Sequence, residues 1–363
     1  MRQRCPVAQS GYLGWSVFRH ADVLAILNDP ARFSNEVSNH LSVPNGMDPP
    51  RHTPFRQIIE PYFSDDAMQA FRPILEQRVN ALFDGLKDRL PATVEILDTL
   101  GRPFALQVQC AFMGWPDTLH RPLARWIHDN HEATLSGDRE RMAEVAVRFD
   151  THIREQLQVR QQQVASPLPS SALDVTGRLM RETIDGRPLT DEELVSLIRN
   201  WTVGELGTIT ACVGIILGYL ADHPELARQL RTHPQQLRPA IDEMLRLNAP
   251  LISNRRVTTE RVQVGEHTLP AGERLTLMWA SANRDEAVFP EPDTFRLDRN
   301  PDDNLLYGAG LHVCPGAPLA RMELEIFTAT ALARLKHLSA APEGRQNARY
   351  PAGGYETLWL TLG

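Results

Sequence analysis

Lysine is nearly absent from this chain: Lys87 and Lys336 are the only two, so almost all positive charge is arginine. The balance is still acidic, −7 over 363 residues, which argues against the basic surface of a nucleic-acid binder. Cysteine is scarce too. Cys5, Cys110, Cys212 and Cys314 lie far apart with no CxxC pair, so neither a disulfide framework nor a zinc site is expected. No apolar run approaches the ~18 residues of a bilayer span. The opening Met1-Arg2-Gln3-Arg4-Cys5-Pro6 leads into no apolar stretch of a secretory signal. The expectation is a cytoplasmic protein with no membrane and no nucleic acid among its partners.

What is present is mostly helix. Residues are 42% hydrophobic and 23% charged, enough apolar material for a sizeable core. Helical periodicity is read over His20 to Leu27, Pro54 to Phe63, Asp65 to Leu90, Arg102 to Met113, Asp117 to Glu132 and Asp138 to Gln161. The stretch Ala165 to Ala172, rich in serine and proline, reads as a surface loop. Behind the N-cap residue Thr190, an apolar helix runs from Asp191 to about Asp222 and stops before His223-Pro224. Being apolar almost all round after Ile198, it is expected to pass through the centre of the molecule. A helix over Pro239 to Leu247 follows, with the proline at its first position. Strand-like segments come next, Arg256 to Val264 and Arg274 to Trp279. The reading is a single, mainly α domain over 1–363 carrying small β-sheets.

The chemistry concentrates in Tyr307-Gly308-Ala309-Gly310-Leu311-His312-Val313-Cys314-Pro315-Gly316. Glycines before the cysteine let the backbone turn tightly and approach a flat ligand closely. Cys314 stands ahead of a helix expected from Pro315 to Leu335, with Pro315 at its first position. There, free N–H groups and the positive dipole end are expected to lower the thiol pKa. This segment resembles the haem-binding loop of the cytochrome P450 family, Phe-Gly-x-Gly-x-His/Arg-x-Cys-x-Gly, at every fixed position but the first, where Tyr307 replaces phenylalanine. The resemblance covers Trp15 to the end and implies that family's fold, with helices and small sheets around a buried haem b (iron protoporphyrin IX).

Further matches carry the resemblance upstream. Glu243-Met244-Leu245-Arg246 reads Glu-x-x-Arg, a pair one helical turn apart, followed by the loop Phe289 to Phe295. Thr294 stands where many relatives carry arginine or histidine, leaving Arg296 or Arg299 as substitutes. The resemblance implies Cys314 as the iron ligand and Gly308, Gly310 and Gly316 as loop glycines. It implies His52, Arg56, Arg256 and His312 as partners of the haem propionates, which need cationic or hydrogen-bonding neighbours when partly buried.

On the central helix, Asn200-Trp201-Thr202-Val203-Gly204-Glu205-Leu206-Gly207-Thr208 resembles the family's Ala/Gly-Gly-x-Asp/Glu-Thr. Its threonine and acid help deliver protons to dioxygen. Thr208 and Gly204 match, and the Gly204 carbonyl lies one turn before the Thr208 hydroxyl. The acid position holds Gly207, while Glu205 lies three residues before Thr208. Glu205, or water that it orders, is weighed against a purely structural role for that side chain. This run looks like P450s fused to a flavin and iron-sulfur reductase. The chain itself has no cysteine cluster, so electrons are expected from a separate ferredoxin-type partner or from a reductase fused beyond it.

The implied reaction inserts one atom of O₂ into a small organic substrate by hydroxylation or dealkylation. A small aromatic or alkyl-aromatic compound is expected. Asn200, Val203 and Gly204 are expected to face it, Asn200 either binding a substrate oxygen or capping a core hydrogen bond. The short loop Asn35 to Met47 is expected to leave the pocket more open, or finished by other loops. Leu41, Val43, Ile252 and Ser253 are expected wall residues, with Gly353-Gly354 turning in from a C-terminal sheet. Two alternatives are kept: a peroxygenase using H₂O₂, and a haem-binding sensor without turnover.

Overall fold

Helix starts in this chain are marked by side-chain oxygens that satisfy free N–H groups. Ser64 accepts from Ala67 N, and Asp138 from Glu140 N and Arg141 N. Thr190 and Glu193 form a reciprocal capping box at the head of the central helix, Asp191–Asp222. Gly114 and Gly137 end their helices at φ +76° and +67°, where a side chain would be strained. The computed structural model describes residues 2–363.

Most expected helices form within a few residues of their expected bounds. They are His20–Leu27, His52–Ile59 extended by a 3-10 turn to Phe63, Asp65–Lys87, Arg102–Met113, His120–Ser136 and Arg139–Ala165. Two proline placements differ. The helix expected from Pro239 starts at Leu237, so that proline is its third residue. The helix after the cysteine, Ala317–Arg334, starts beyond Pro315. Gly316 is its N-cap and Pro318 lies in its first turn, where no N–H is needed. Pro315 instead belongs to the turn between the cysteine and the helix.

The expected strand Arg256 to Val264 divides into two, Asn254–Thr258 and Val262–Val264, the second turning back onto His267–Leu269. The largest sheet has five strands in the order Val7–Ser10, Gly14–Val17, Arg274–Leu277, Asn254–Thr258, Phe33–Ser34. Its one parallel pairing sets Leu275 beside Trp15. A second, antiparallel sheet joins Leu338–Asn347, Tyr355–Leu362 and Ala92–Glu95.

The central helix is the only one among the described residues with the length and hydropathy of a membrane span, which corrects the expectation that no segment comes near one. Of its most apolar 18-residue window, 61% is buried inside the protein, so its apolar sides already have partners. It packs on Arg102–Met113, Leu237–Asn248 and both long strands of the C-terminal sheet. The cysteine helix packs on Asp65–Lys87 and on Leu237–Asn248. A large cavity is left between these two helices.

Candidate active site

The cysteine loop is built by backbone geometry that its glycines permit. Gly308 and Gly310 have φ of +75° and +67°. A Cβ at Gly310 would meet Leu27 O and Asn28 Oδ1, both at 2.8 Å, so the loop is held against the end of the first helix. Cys314 N donates to Tyr307 O at 2.9 Å and closes the turn. The loop also rests on Leu237–Asn248. There Arg246 donates to both oxygens of Glu243, at 2.6 and 2.8 Å, and to the carbonyls of Asn283 and Pro292.

Of the two candidate third members of that network, it is Arg299 that serves. Its Nε donates to Glu243 Oε1 at 2.8 Å, and its guanidinium reaches the carbonyls of Pro290, Glu291 and Thr294. Arg296 contributes only its backbone N–H, while its side chain turns out to Asp298. Thr294 thus takes part through its carbonyl oxygen.

Cys314 borders a cavity of about 510 Å³ that also meets His52, Arg56, Gly204, Glu205, Thr208, Arg256 and His312. The cysteine is open to this void yet deep within the fold. Burial pushes its thiol up, against the lowering effect of N–H groups from Gly316 and Ala317 and of Arg56. The expected helix-terminus effect is therefore real but smaller than desolvation. A bound metal is what would hold this sulfur as thiolate.

Around the same cavity stand four cationic or donor side chains without a matching set of anions. Arg256 is 3% exposed; its only side-chain hydrogen bond is Nη1 to the carbonyl of Arg255. Burial lowers its pKa to about 10. His52 is fully buried and neither ring nitrogen has a partner. His312 Nε2 is also unpartnered, 3.7 Å from Asp48 Oδ1. Burial, then His52 and Arg256, depress His312 to about 4. Burial and Arg56 push His52 down as well. Arg56 donates to Glu60 Oε1 at 2.9 Å and to Val313 O at 2.7 Å, tying the cysteine loop to this wall.

Unpaired buried donors are costly, and a patch whose imidazoles are held neutral by burial, with help from neighbouring cations, has donors to spare for an anion. A flat group bearing two carboxylates on one edge, with a metal reached from Cys314, fits this donor set.

A protein-family model for cytochrome P450 matches residues 116–350. This chain belongs to the cytochrome P450 family. It is 31% identical to the cyclomarin C epoxidase CymV of Salinispora arenicola (strain CNS-205), over 86% of this chain and 81% of that protein. It is 28% identical to the erythromycin C-12 hydroxylase of Saccharopolyspora erythraea, over 93% and 86%. Among solved structures it is similar to cytochrome P450 CYP109Q5 from Chondromyces apiculatus, with 25% identity, a TM-score of 0.88, and 100% and 93% of the two chains covered. The protein is accordingly a cytochrome P450 monooxygenase, a family whose cofactor is haem.

In this P450 the oxygen-side residues depart from expectation. Thr208 and Glu205 both border the cavity, but Thr208 makes no hydrogen bond to Gly204. The back-bonding threonines are Thr202, to Ile198 O, and Thr210, to Leu206 O. Glu205 meets Glu323 of the cysteine helix, and burial pushes it up to about 7.

Asn200 is a capping residue: its Nδ2 donates to Val43 O at 2.9 Å and Ser42 Oγ at 3.1 Å. Ser196 joins it, accepting from Val43 N and donating to Leu41 O, both at 2.9 Å. Together they pin the short loop to the central helix.

The expected walls are displaced by one residue. Val43 is buried in the core and Leu41 packs against it, while Ser42, Pro44, Asn45 and Gly46 border the cavity. Ile252 and Ser253 give way to Pro250, Leu251 and Asn254; Ser253 bonds Tyr350 instead. Val203 is 43% exposed and lies off the cavity.

Gly353 and Gly354 turn in against Ile215 and Ala211 of the central helix without bordering the cavity. A Cβ at Gly353 would lie 1.9 Å from Ala249 O, so this turn braces the segment Pro250-Leu251 from behind. The sequence reading also missed Phe63, Phe112 and Trp201. They cluster on the cavity wall, with the Trp201 Nε1 buried and unpartnered. Their signal was the aromatic residue type, which periodicity assigns to core.

Proposed function

We propose that this P450 binds haem b and inserts one oxygen atom from O₂ into a small organic substrate. Cys314 supplies the sulfur ligand. His52, Arg56, Arg256 and His312 take the propionates, and Gly308, Gly310 and Gly316 let the loop lie close to the macrocycle. The observation that carries this reading is the pair Arg256 and His52, buried with no anionic partner on the wall of the cavity that Cys314 enters. When bound, haem supplies reductive activation of O₂, consuming two electrons and two protons. The chain's own part is to hold the ligand, shape the cavity and manage protons near Thr208. Glu205 is the one carboxyl among the described residues that borders the cavity, and it is assigned the proton-bearing role. Electrons come from a ferredoxin-type partner, separate or fused, in the cytoplasm.

Leu251, Ile209, Phe112 and Trp201 give the cavity an apolar side, beside polar residues such as Gln109, Asn200 and Asn254, and that side favours a small aromatic or alkyl-aromatic substrate. Relatives named for cyclomarin C and erythromycin show that the fold also serves larger molecules. Spectral titration with alkyl-benzenes tests the substrate class: a low-to-high-spin shift supports it, and silence across the panel overturns it.

The reading of Cys314 is tested on reduced, CO-treated protein. The red-shifted Soret band of a thiolate adduct is expected, and its persistence in Cys314→Ala would sink the assignment.

A peroxygenase reading has one observation in its favour: Gly207 holds the acid position. Turnover with H₂O₂ exceeding that with a ferredoxin system would favour it.

A further inference from the structure

Glu323 belongs to no site described so far. It lies on the cysteine helix, is 0% exposed, and does not border the cavity. The titratable group that bears on it is Glu205 of the central helix. Neither oxygen of Glu323, nor Oε1 of Glu205, receives a hydrogen bond from any other described group. No arginine, lysine or histidine bears on either carboxyl. The other titratable groups nearby are acidic: Cys212 on the central helix, Cys314 on the cysteine loop, and Asp242 on Leu237–Asn248. Two carboxylates in contact, one of them fully enclosed and neither with a counter-ion among the described residues, resist ionising together.

We propose that Glu323 carries a proton at neutral pH and donates it as a hydrogen bond to Glu205, making Glu323 a positioning residue for the proton-bearing group of the oxygen site. The assignment of the proton follows from access. Glu205 borders the cavity and can meet water there, whereas Glu323 is enclosed and has nothing but Glu205 to stabilise a charge. Burial raises both carboxyls, and a hydrogen bond from Glu323 lowers Glu205. Glu205 then gains and loses its proton on the cavity side, while the Glu323 proton stays in place. No electron or further reactant is involved. The inference rests on the reading of Glu205 in the proposed function, and its spectroscopic arm stands apart from turnover.

If Glu323 acts as a neutral acid, glutamine is its mimic, since the amide N–H₂ can donate the same bond. The test is infrared difference spectroscopy of the haem-loaded protein at pH 8. The carbonyl stretch of an un-ionised carboxylic acid is expected to vanish in Glu323→Gln and to remain in Glu205→Gln. Any other pattern overturns the proton assignment.

A second arm reads the pH profile of coupling, the fraction of electrons that end in product. Glu323→Gln should keep the wild-type midpoint. Glu323→Leu removes a hydrogen bond to a charged group and should move it up by about one pH unit or more, tenfold in the ionisation equilibrium. An unmoved midpoint in Glu323→Leu, with Glu205→Gln altering coupling, overturns the positioning role alone. Unaltered coupling in Glu205→Gln overturns the underlying reading of Glu205.

Discussion

Two groups of buried charge flank the cysteine helix of this P450, and they are built on opposite plans. In the first, Glu243 is met by Arg246 and Arg299, and every donor that leaves the ion pair finds a loop carbonyl. The pair's side chains are 1% and 4% exposed, yet nothing is left over. In the second, Glu205 and Glu323 have only each other. The wall of Arg256, His52 and His312 is the mirror image of the second plan, made of donors short of partners. A satisfied buried network fixes a conformation. An unsatisfied one is a cost that folding alone does not explain, and it marks where a ligand or a proton belongs.

If the first network is structural, breaking it should be the most damaging change. Arg246→Met leaves Glu243 facing Arg299 alone and the Asn283 and Pro292 carbonyls without that donor. The expected loss is about 3–5 kcal/mol, read by denaturant unfolding of the haem-loaded protein. Haem retention at wild-type stability would erase the contrast.

The cationic wall should behave differently, because its partner is a ligand. Arg256→Leu is expected to weaken haem binding by about tenfold to a hundredfold, the worth of one hydrogen bond to a charged group. The apoprotein should be unharmed or slightly stabilised, since a buried charge is removed. Haem transfer to apomyoglobin measures the first effect and thermal melting of the apoprotein the second. A destabilised apoprotein with normal haem affinity would move Arg256 into the structural class.

The smallest effect is expected at the loop pin. Ser196→Ala deletes the bonds to Val43 N and Leu41 O and should cost about 1 kcal/mol. Faster hydrogen exchange confined to residues 37–47, with the apparent Kd for substrate changed more than stability, would show that this pin shapes the cavity rather than the core.

The helix pattern was legible because its signals are local: periodic apolar residues and the cap at Thr190, to which the structure adds caps at Ser64 and Asp138 and stop glycines at 114 and 137. The cysteine loop was legible for the same reason, its glycines being required by backbone angles within the loop itself. Among the wall residues only Asn200 and Gly204 were. Leu41, Val43 and Ile252 were chosen as apolar residues near a cavity, but in the short loop Leu41 and Val43 are drawn into the core, which leaves Ser42, Pro44 and Asn45 to face the void. The pairing of Glu205 was hidden too, since its partner lies 118 positions away in the numbering and on another helix.

The amino-acid order alone determined the family, the sulfur that enters the cavity and the run of the helices. Each of these depends on contacts within a turn or a loop, where covalent spacing fixes what can meet. Only the tertiary structure decided which charges are satisfied: Arg299 rather than Arg296 beside Glu243, Asn200 tied to the loop, Glu205 set against Glu323. Those outcomes turn on which side chains share a dry space, and burial, a property of the assembled fold, determines what a charge there costs.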